Sequence, residues 1–398
     1  MQNKRWDIFC KVIDNYGDIG VTWRLARQLV AEHGRAVRLW VDDLDSLERL
    51  CAGVDASLEA QFAQGVEVRR WDEAAAGAQP ADVVLEGFGC ELPAPYCASM
   101  AAGAQAGSPP VWINLEYLSA EEWVTGCHGL PSVHPQLGLT RFFYFPGFGA
   151  GTGGLLRERG LLEARDAYQA NPAAQAAFWQ RIGVPARKRR EWRVSLFSYA
   201  RAPIQELLTG LSAHPHPVRL IVPQGPTSMM VADWFAMEDA AGAHGSLGNV
   251  AASIVPFVEQ GDYDRLLWGC DLNFERGEDS CVRAQWAGRP LVWQIYPQGE
   301  GAHEAKLAEF LRRYCHGLHE PRRHSVERFM ALWNGMPAGQ TNDPLGLGEV
   351  GDWSFEETWR GFAANQSALR LHAEEWAWKL ADAPDLASQL VEFAGKAS

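Results

Sequence analysis

The sequence predicts an α/β protein built from two doubly wound domains, and two observations carry this prediction. At 398 residues the chain exceeds the roughly 250 to 300 residues at which a single hydrophobic core stops growing. Both halves alternate short apolar runs with amphipathic stretches, which is the pattern of βαβ units on a parallel sheet. With 47% hydrophobic and 21% charged residues, the chain has enough apolar side chains to fill both cores.

In the first half, strand-like runs alternate with helical stretches. After the first run, Ile19, Trp23 and Leu29 fall on one face of a helix expected to end at His33, where Gly34 provides a stop signal. A parallel sheet is therefore expected in this half. Its predicted strands are Trp6 to Val12, Val37 to Val41, Val66 to Trp71, Val83 to Leu85 and Val111 to Ile113.

The domain boundary is predicted in the Ala-, Gln- and Arg-rich stretch between about Leu155 and Arg190, just before a new strand. The expected domains are residues 1–185 and 190–355, and the helical residues 356–398 are expected to pack back toward the first domain. The second half repeats the strand and helix alternation of a doubly wound domain. Its predicted strands are Val194 to Ser198, Val218 to Val222, Ala251 to Val255, Asp271 to Phe274 and Leu291 to Trp293.

Charge and hydropathy exclude two classes of partner. The formal net charge of −13 repels polyanions, so we expect no nucleic acid partner. The amino terminus is charged within its first seven residues, and no later stretch approaches the roughly 18 apolar residues of a membrane span. The eight cysteines are scattered without a C-x-x-C pair, which favours reduced thiols. A cytoplasmic protein without a membrane partner is expected.

Two aspartates, Asp14 and Asp18, bracket the predicted turn between the first strand and the first helix. Open α/β sheets bind ligands at the carboxyl ends of their strands, so both carboxylates are candidates for a functional site. A second interpretation is that Asp18 only caps the helix beginning near Ile19, a position at which Asp is strongly favoured. The sequence leaves both interpretations open.

The stretch from Asn273 to Ser280 is predicted to form the end of a strand, a Gly turn and the start of a helix. A helix N-terminus presents unpaired N–H donors and the positive end of the helix dipole, which suits a diphosphate. Ser280 adds a hydroxyl, whereas Glu278 and Asp279 are better matched to sugar or ribose hydroxyls. The alternative is an ordinary helix whose acidic first turn complements its dipole.

Aromatic side chains follow other strands of the second half and are expected at the same edge of its sheet. Phe197 and Tyr199 follow the first of these strands, Phe257 a later one and Tyr296 another. Aromatic rings beside polar groups are the usual lining of a small-ligand pocket, where they can hold a flat base. Core packing explains any one of them equally well.

Two further motifs are assigned neither a cofactor nor a metal. Gly149 to Gly154 fit the pattern G-x-G-x-x-G, but they follow a Pro-interrupted aromatic run and lack the acidic residue that would close a second strand. Asp43-Leu44-Asp45 looks like a D-x-D signature for a divalent cation, yet Asp45 to Glu48 is also a helix-capping sequence, which we favour. We therefore predict no cofactor and no bound metal.

Five motifs follow one another along the chain in a recognisable order and spacing. They are Asp14-Asn15-Tyr16-Gly17-Asp18-Ile19-Gly20, Asn114-Leu115-Glu116-Tyr117-Leu118-Ser119, Gly147-Phe148 with Thr152-Gly153-Gly154-Leu155-Leu156, Phe197-Ser198-Tyr199, and Arg276-Gly277-Glu278-Asp279-Ser280. Together they resemble the bacterial protein-arginine rhamnosyltransferases that modify translation elongation factor P. The resemblance runs from about Phe9 to the final helices.

This resemblance implies a GT-B type fold of two facing Rossmann-like domains, with dTDP-β-L-rhamnose on the second domain and elongation factor P docking largely on the first. It implies that Asp18 is the general base, that Asp14 is its acidic neighbour and that Glu278 is important for turnover. It also implies a set of residues that bind the sugar donor. These are Phe197, Tyr199, Phe257, Gln260, Arg276, Asp279, Ser280 and Tyr296.

Arginine is a difficult nucleophile because its guanidinium is protonated and its electrons are delocalised. Asp14, Asp18 and Glu116 are candidates to grip the guanidinium N–H groups, orient one nitrogen and accept its proton. We expect an inverting reaction without metal, in which a helix N-terminus stabilises the leaving diphosphate. Two alternatives are another nucleotide-sugar transferase with a small-molecule or glycan acceptor, and a noncatalytic nucleotide-sugar-binding protein.

Overall fold

A computed structural model describes residues 4–14, 16–72, 77–297, 299–336 and 354–397 of the chain. The chain forms two compact units, Met1–Leu161 with Leu380–Ser398, and Leu162–Lys379. The chain leaves the first unit at Leu161, before the boundary expected between residues 185 and 190. Asn15 of the acidic turn lies outside the described residues.

Within the described part of the first unit, eight strands form a mostly parallel sheet in the order β3-β4-β2-β1-β5-β6-β8-β7. Ile8 of β1 lies beside Leu39 of β2 and Leu85 of β5, both in parallel register. The strands are β1 (Arg5–Cys10), β2 (Ala36–Val41), β3 (Ala60–Ala63), β4 (Val66–Arg70), β5 (Val83–Gly87), β6 (Val111–Leu115), β7 (Pro131–Val133) and β8 (Thr140–Tyr144). All five strands predicted for this half are present.

The central strands of this sheet are buried on both faces, as is typical of parallel sheets. Helices packed on the sheet provide this burial. On one side of the sheet, Phe9 stacks on Trp40 at 5.8 Å between ring centroids and meets the edge of Tyr96 at 4.8 Å. Among the described residues before Leu161, the helices are α1 (Gly17–His33), α2 (Leu44–Leu50), α3 (Ala94–Gln105) and α4 (Val124–Cys127). Helix α1 ends as predicted at Gly34, whose φ of +60° suits a residue without Cβ.

The second unit has a sheet of six described strands in the order β11-β12-β10-β9-β13-β14. Its strands are parallel except β11, which pairs antiparallel with β12. Their carboxyl ends therefore lie at one edge, apart from that of β11. The strands are β9 (Trp192–Leu196), β10 (Val218–Pro223), β11 (His244–Leu247), β12 (Val250–Val255), β13 (Leu272–Arg276) and β14 (Leu291–Gln294). All five strands predicted for this half are present.

Two helices expected in the first domain pack on the second unit instead, which explains where the boundary falls. Gln169 donates hydrogen bonds to the carbonyl oxygens of Trp268 and Ala287, and Trp179 packs closely against Gly269. The helices of the second unit begin with these two. They are α5 (Leu161–Gln169), α6 (Pro172–Arg181), α7 (Ile204–Ser212), α8 (Pro226–Phe235), α9 (Gln260–Gly269), α10 (Asp279–Trp286), α11 (Ala302–Tyr314), α12 (Glu320–Trp333), α13 (Phe355–Ala364) and α14 (Gln366–Ala381).

The final helix α15 (Leu386–Lys396) belongs to the first unit, as the prediction of C-terminal helices packing back requires. Gln28 of α1 donates a hydrogen bond to Asp385, and the Leu386 N–H donates to Leu155 O at 3.0 Å. Helix α13 instead stays in the second unit, where Trp359 packs on Gly210. No helix among the described residues is long and apolar enough to cross a membrane.

Candidate active site

The acidic turn after β1 is closed by the side chain of Asp18. Its Oδ2 accepts hydrogen bonds from the backbone N–H groups of Ile13 at 2.8 Å and Asp14 at 2.9 Å. Helix α1 begins at Gly17, so Asp18 lies inside the first turn, and its carboxylate bonds the preceding loop. The capping interpretation of Asp18 is therefore wrong, and the carboxylate holds the loop in place.

Asp18 is 2% exposed, and burial is the main reason that its pKa is raised above the usual value. The two backbone N–H donors and a hydrogen bond from the Tyr117 hydroxyl lower the pKa, while the neighbouring charge of Asp14 raises it further. The net effect makes Asp18 a stronger proton acceptor than an exposed aspartate. A carboxylate with a raised pKa is a candidate general base.

Glu116 lies at the same edge of the sheet, directly after β6. Its Oε1 accepts a hydrogen bond from the side-chain amide of Asn114 at 2.7 Å, and its side chain is half-buried. Tyr117 follows it and stacks on Phe88 with ring centroids 4.7 Å apart. Since Tyr117 reaches Asp18, the structure brings the turn after β1 and the turn after β6 together.

Strand β5 runs between β1 and β6 and ends at Gly87. A Cβ atom built on Gly87 would lie 2.7 Å from the Phe9 carbonyl oxygen and 3.4 Å from Cγ2 of Thr22. Only glycine fits this close approach of two strands without displacing backbone. The small residue therefore keeps the sheet edge beneath the acidic turn compact.

In the second unit, three of the four predicted aromatic residues form one cluster with Arg276. The Arg276 guanidinium carbon lies 4.6 Å from the ring centroid of Phe197 and 4.6 Å from that of Tyr199. Tyr199 also meets Tyr296 edge to face, with ring centroids 5.7 Å apart. Phe257 follows β12 at the same sheet edge and is half-buried. The cluster thus joins a cation to aromatic faces, which is favourable in itself.

Helix α10 begins beside this cluster, one residue after Glu278, which occupies its N-cap position. The turn before it depends on Gly277, whose φ of +64° is disfavoured for residues with a Cβ. Asp279 starts the helix and accepts a hydrogen bond from Gln260 at 3.3 Å, while the Ser280 hydroxyl donates to the Arg276 carbonyl. The predicted strand, turn and helix are all present, with the helix starting two residues before the predicted Cys281.

The structure also shows residues that sequence reasoning missed. Gln294 accepts a hydrogen bond from the Tyr199 N–H at 2.7 Å and so positions that aromatic residue. Within the described part of the chain, its buried Nε2 meets no hydrogen-bond partner. Glu275 and Tyr263 lie below the turn that precedes α10. The available signal in the sequence was a polar residue at a buried strand position. Burying a polar side chain costs free energy unless it finds hydrogen-bond partners, so such a residue suggests a structural or functional role.

The two motifs that were assigned neither a cofactor nor a metal, Gly149 to Gly154 and Asp43-Leu44-Asp45, have structural roles. Gly153 lies in a packed loop, where an added Cβ would overlap the Tyr144 ring, and no helix follows it directly. The helix cap near the D-x-D signature is Asp43, whose Oδ1 accepts from the Ser46 N–H at 3.2 Å. Capping was therefore the right interpretation, but the capping residue is Asp43 and not Asp45.

Nearly the whole chain matches a protein family. Residues 6–395 match the family model described as Elongation-Factor P (EF-P) rhamnosyltransferase EarP. The chain belongs to the EarP family. Two proteins called protein-arginine rhamnosyltransferase, from Pseudomonas putida KT2440 and Pseudomonas aeruginosa PAO1, are each 46% identical to it over 389 residues, covering 98% of both chains. The family predicted from the motifs is confirmed, and this member of the EarP family is a glycosyltransferase.

Solved structures support the same assignment. One described as the structural basis for EarP-mediated arginine glycosylation of translation elongation factor EF-P has a TM-score of 0.67 and 34% identity, with 99% of each chain covered. A glycosyltransferase from Rickettsia africae has a TM-score of 0.53 with 9% identity, over 100% of this chain and 99% of that one. The second likeness shows the fold alone. The predicted GT-B type fold with two Rossmann-like units is confirmed for this EarP family member.

Proposed function

We propose that this chain transfers L-rhamnose from dTDP-β-L-rhamnose to an arginine side chain of translation elongation factor P. The observation that carries the proposal is the Asp18 carboxylate, fixed by two backbone N–H groups at the sheet edge that also carries Asp14 and Glu116. Membership of the EarP family supports the sugar and the protein acceptor. The acceptor arginine is proposed to reach the first unit, and the donor the second.

Carboxylates are the natural partners of a guanidinium, because each can accept charge-assisted hydrogen bonds from its N–H groups. Asp14 and Glu116 are proposed to hold the arginine, while Asp18 faces the nitrogen that reacts. The raised pKa of Asp18 suits it to take a proton as the new bond forms. Binding and base catalysis then use carboxylates of two turns at one edge of the sheet.

The donor is proposed to bind at the carboxyl edge of the second sheet. The N-terminus of α10 offers N–H groups to a diphosphate, and Arg276 adds a full positive charge held in place by Phe197 and Tyr199. Tyr296 is 39% exposed and is proposed, with Phe257, to contact the thymine base. Gln260 and Asp279, which bond each other, and Glu278 are proposed to face the sugar and ribose hydroxyls.

In the proposed reaction, an arginine nitrogen attacks the anomeric carbon from the face opposite the diphosphate. The bond from that carbon to the diphosphate oxygen breaks, dTDP leaves with the electron pair, and the nitrogen's proton passes to Asp18. The anomeric centre inverts, so a β-linked donor gives an α-linked product. Arg276 and the N-terminus of α10 stabilise the charge that develops on dTDP, and no metal or other cofactor takes part. The reaction is proposed to occur in the cytoplasm.

The test is the intact mass of purified elongation factor P after incubation with this chain, dTDP-L-rhamnose and EDTA. A gain of one deoxyhexose on an arginine supports transfer and its independence of metal. A gain that requires Mg²⁺ would overturn only the metal-free mechanism. Absence of any gain with Mg²⁺ present would overturn the acceptor, and dTDP binding without transfer would favour another acceptor or a binding-only role.

A further inference from the structure

Glu275 lies directly below the proposed donor site and has no role in the mechanism above. It is on β13, one residue before Arg276, and its side chain is 0% exposed. Its carboxyl group contacts three hydroxyls, from Ser195 on β9, Tyr263 on α9 and Ser280 on α10. A carboxyl group buried this deeply needs partners for its charge or a proton that removes the charge.

The hydrogen bonds around Glu275 indicate where protons lie. Ser195 Oγ is 2.7 Å from Glu275 Oε1 and 2.9 Å from Oδ1 of Asn273. Asn273 uses its Nδ2 to donate to the Leu267 carbonyl, so its Oδ1 can only accept. Ser195 has one proton for two oxygens. A proton on Glu275, donated to Ser195, lets each of the two contacts be a full two-centre hydrogen bond.

The second serine shows the same shortage of protons. The Ser280 hydroxyl donates its single proton to the Arg276 carbonyl oxygen. Its contact with Glu275 is then a hydrogen bond only when the carboxyl group donates, and a single proton on Glu275 serves either Ser195 or Ser280 at one time. The Tyr263 hydroxyl, by contrast, donates to Glu275. One proton on Glu275 therefore supplies a hydrogen bond that an ionised carboxylate would leave unmade.

The charges around Glu275 agree with this count. Burial raises the pKa of Glu275 to about 8, against the lowering effects of the three hydroxyls and of Arg276. Tyr263, Cys270 and Cys281 also face it, and burial raises the pKa of each, so they stay neutral. Arg276 is thus its charged neighbour, and that guanidinium lies over Phe197 and Tyr199.

We propose that Glu275 is a positioning residue of the donor site that acts as a neutral acid, donating its single proton to Ser195 or Ser280. In this form it adds no negative charge beneath the diphosphate. An ionised Glu275 would repel the diphosphate, compete with it for Arg276 and release the serine at the start of α10. This proposal rests on the proposed function, because it assumes that the second unit binds dTDP.

The consequence is that dTDP binding depends on the proton of Glu275. If the complex keeps that proton, the affinity for dTDP falls as pH rises through the pKa of the free protein. For a single group with a pKa of about 8, linkage gives a fall of about tenfold between pH 7 and pH 9. A merely structural Glu275 would not link dTDP affinity to pH in this way.

The experiment is calorimetric titration of the full chain with dTDP at pH 7 and pH 9, for the wild type, Glu275→Gln and Glu327→Gln. The glutamine side chain in Glu275→Gln would mimic the neutral acid, since its amide nitrogen can donate to a serine and its oxygen can accept from Tyr263. We expect the wild type to lose about tenfold in affinity and Glu275→Gln to change by less than about twofold. Glu327 is a matched control: burial raises its pKa too, and Glu327→Gln should follow the wild type.

A second variant, Tyr263→Phe, covers the case in which Glu275→Gln does not fold. It removes a donor that favours the ionised carboxylate, so the decline in affinity should move to higher pH. A decline that persists in Glu275→Gln, is absent in the wild type, or is unmoved by Tyr263→Phe would overturn the role of Glu275 while leaving the donor site intact. Absence of dTDP binding at every pH would overturn the donor site and this proposal with it.

Discussion

Replacing Asp18 with asparagine separates the two tasks that the structure gives this residue. The side chain holds the turn after β1 by accepting from the N–H groups of Ile13 and Asp14, and its ionised form is the proposed base. Asparagine keeps one oxygen that can accept both N–H bonds. Its amide can donate to the Tyr117 hydroxyl, which then accepts instead of donating. The loop should therefore persist while the proton acceptor is lost.

The expected magnitudes differ for rate and for stability. Loss of a general base lowers turnover by about 10² to 10⁴-fold, or about 3 to 5 kcal/mol in the barrier. Changing the acceptor of two N–H bonds from charged to neutral weakens each by about 1 kcal/mol. Removing a buried charge acts in the opposite direction, and the raised pKa of Asp18 shows that burial exceeds those bonds. Asp18→Asn should thus be at least as stable as the wild type at pH 7.

The raised pKa of Asp18 also predicts the direction in which the stability of the wild type changes with pH. A folded-state pKa above the unfolded value means that the contribution of Asp18 to stability is full at low pH and is lost as pH rises through its folded pKa. Asp18→Asn lacks this loss, so its stability relative to the wild type should increase over the same range.

Two assays test these expectations together, with the exposed Asp45→Asn as the control. The mass of elongation factor P followed over time gives the rate of transfer, and thermal unfolding gives the stability. Asp45→Asn should match the wild type in both. Near-normal turnover by Asp18→Asn would refute the assignment of the base. A large fall in its melting temperature would refute the argument that asparagine preserves the loop.

Other parts of the fold give further predictions. Ser280→Ala should weaken dTDP binding about two- to tenfold in a calorimetric titration, since it removes one hydroxyl bond at the start of α10. Arg276→Lys should weaken dTDP binding by a similar factor, because lysine keeps the charge but loses the planar contact with two rings. Gly153→Ala should destabilise the first unit by about 1 to 3 kcal/mol in urea unfolding, because its Cβ would overlap the Tyr144 ring. Gly126→Ala, with nothing within 4 Å of its added Cβ, should stay within about 0.5 kcal/mol.

The sequence predicted the central strands of both sheets because those strands are buried on both faces and read as continuous apolar runs. Strands β3, β7, β8 and β11 were not predicted. Strands β3, β7 and β11 are short, largely exposed and antiparallel to their neighbours, so they carry no apolar run. Each pairs with the strand that follows it in the chain, but a short segment without an apolar run shows no periodicity by which a strand can be recognised.

The boundary between the units was predicted too late for a related reason. Helices α5 and α6 are amphipathic in sequence, and amphipathicity shows that a face is buried without showing which sheet buries it. The contacts that decide this come from Trp268 and Ala287, about a hundred residues along the chain. Composition marked the region of the boundary, and tertiary packing set its position.

For the candidate site, the sequence motifs predicted which turns carry functional residues. The directions of their side chains became known only from the structure. The spacing of Asp14 and Asp18 predicted a functional turn, but only the fold shows Asp18 bonding the preceding loop. Tyr117 reaches Asp18 from about a hundred residues away. Glu275 was passed over because a glutamate in a predicted strand is uninformative until its hydroxyl partners are known.

Asp18 and Glu275 together predict the shape of the pH profile for transfer. Asp18 must be ionised to accept a proton, so activity falls as pH drops through its raised pKa. Glu275 must be protonated to support the donor, so kcat/KM falls as pH rises through about 8. The profile should be bell-shaped, with each limb belonging to one carboxyl group. Glu275→Gln should flatten the alkaline limb and leave the acid limb in place. If both limbs persist in that variant, the alkaline limb belongs to another titratable group, such as one near the acceptor arginine. Glu275 then does not control donor binding.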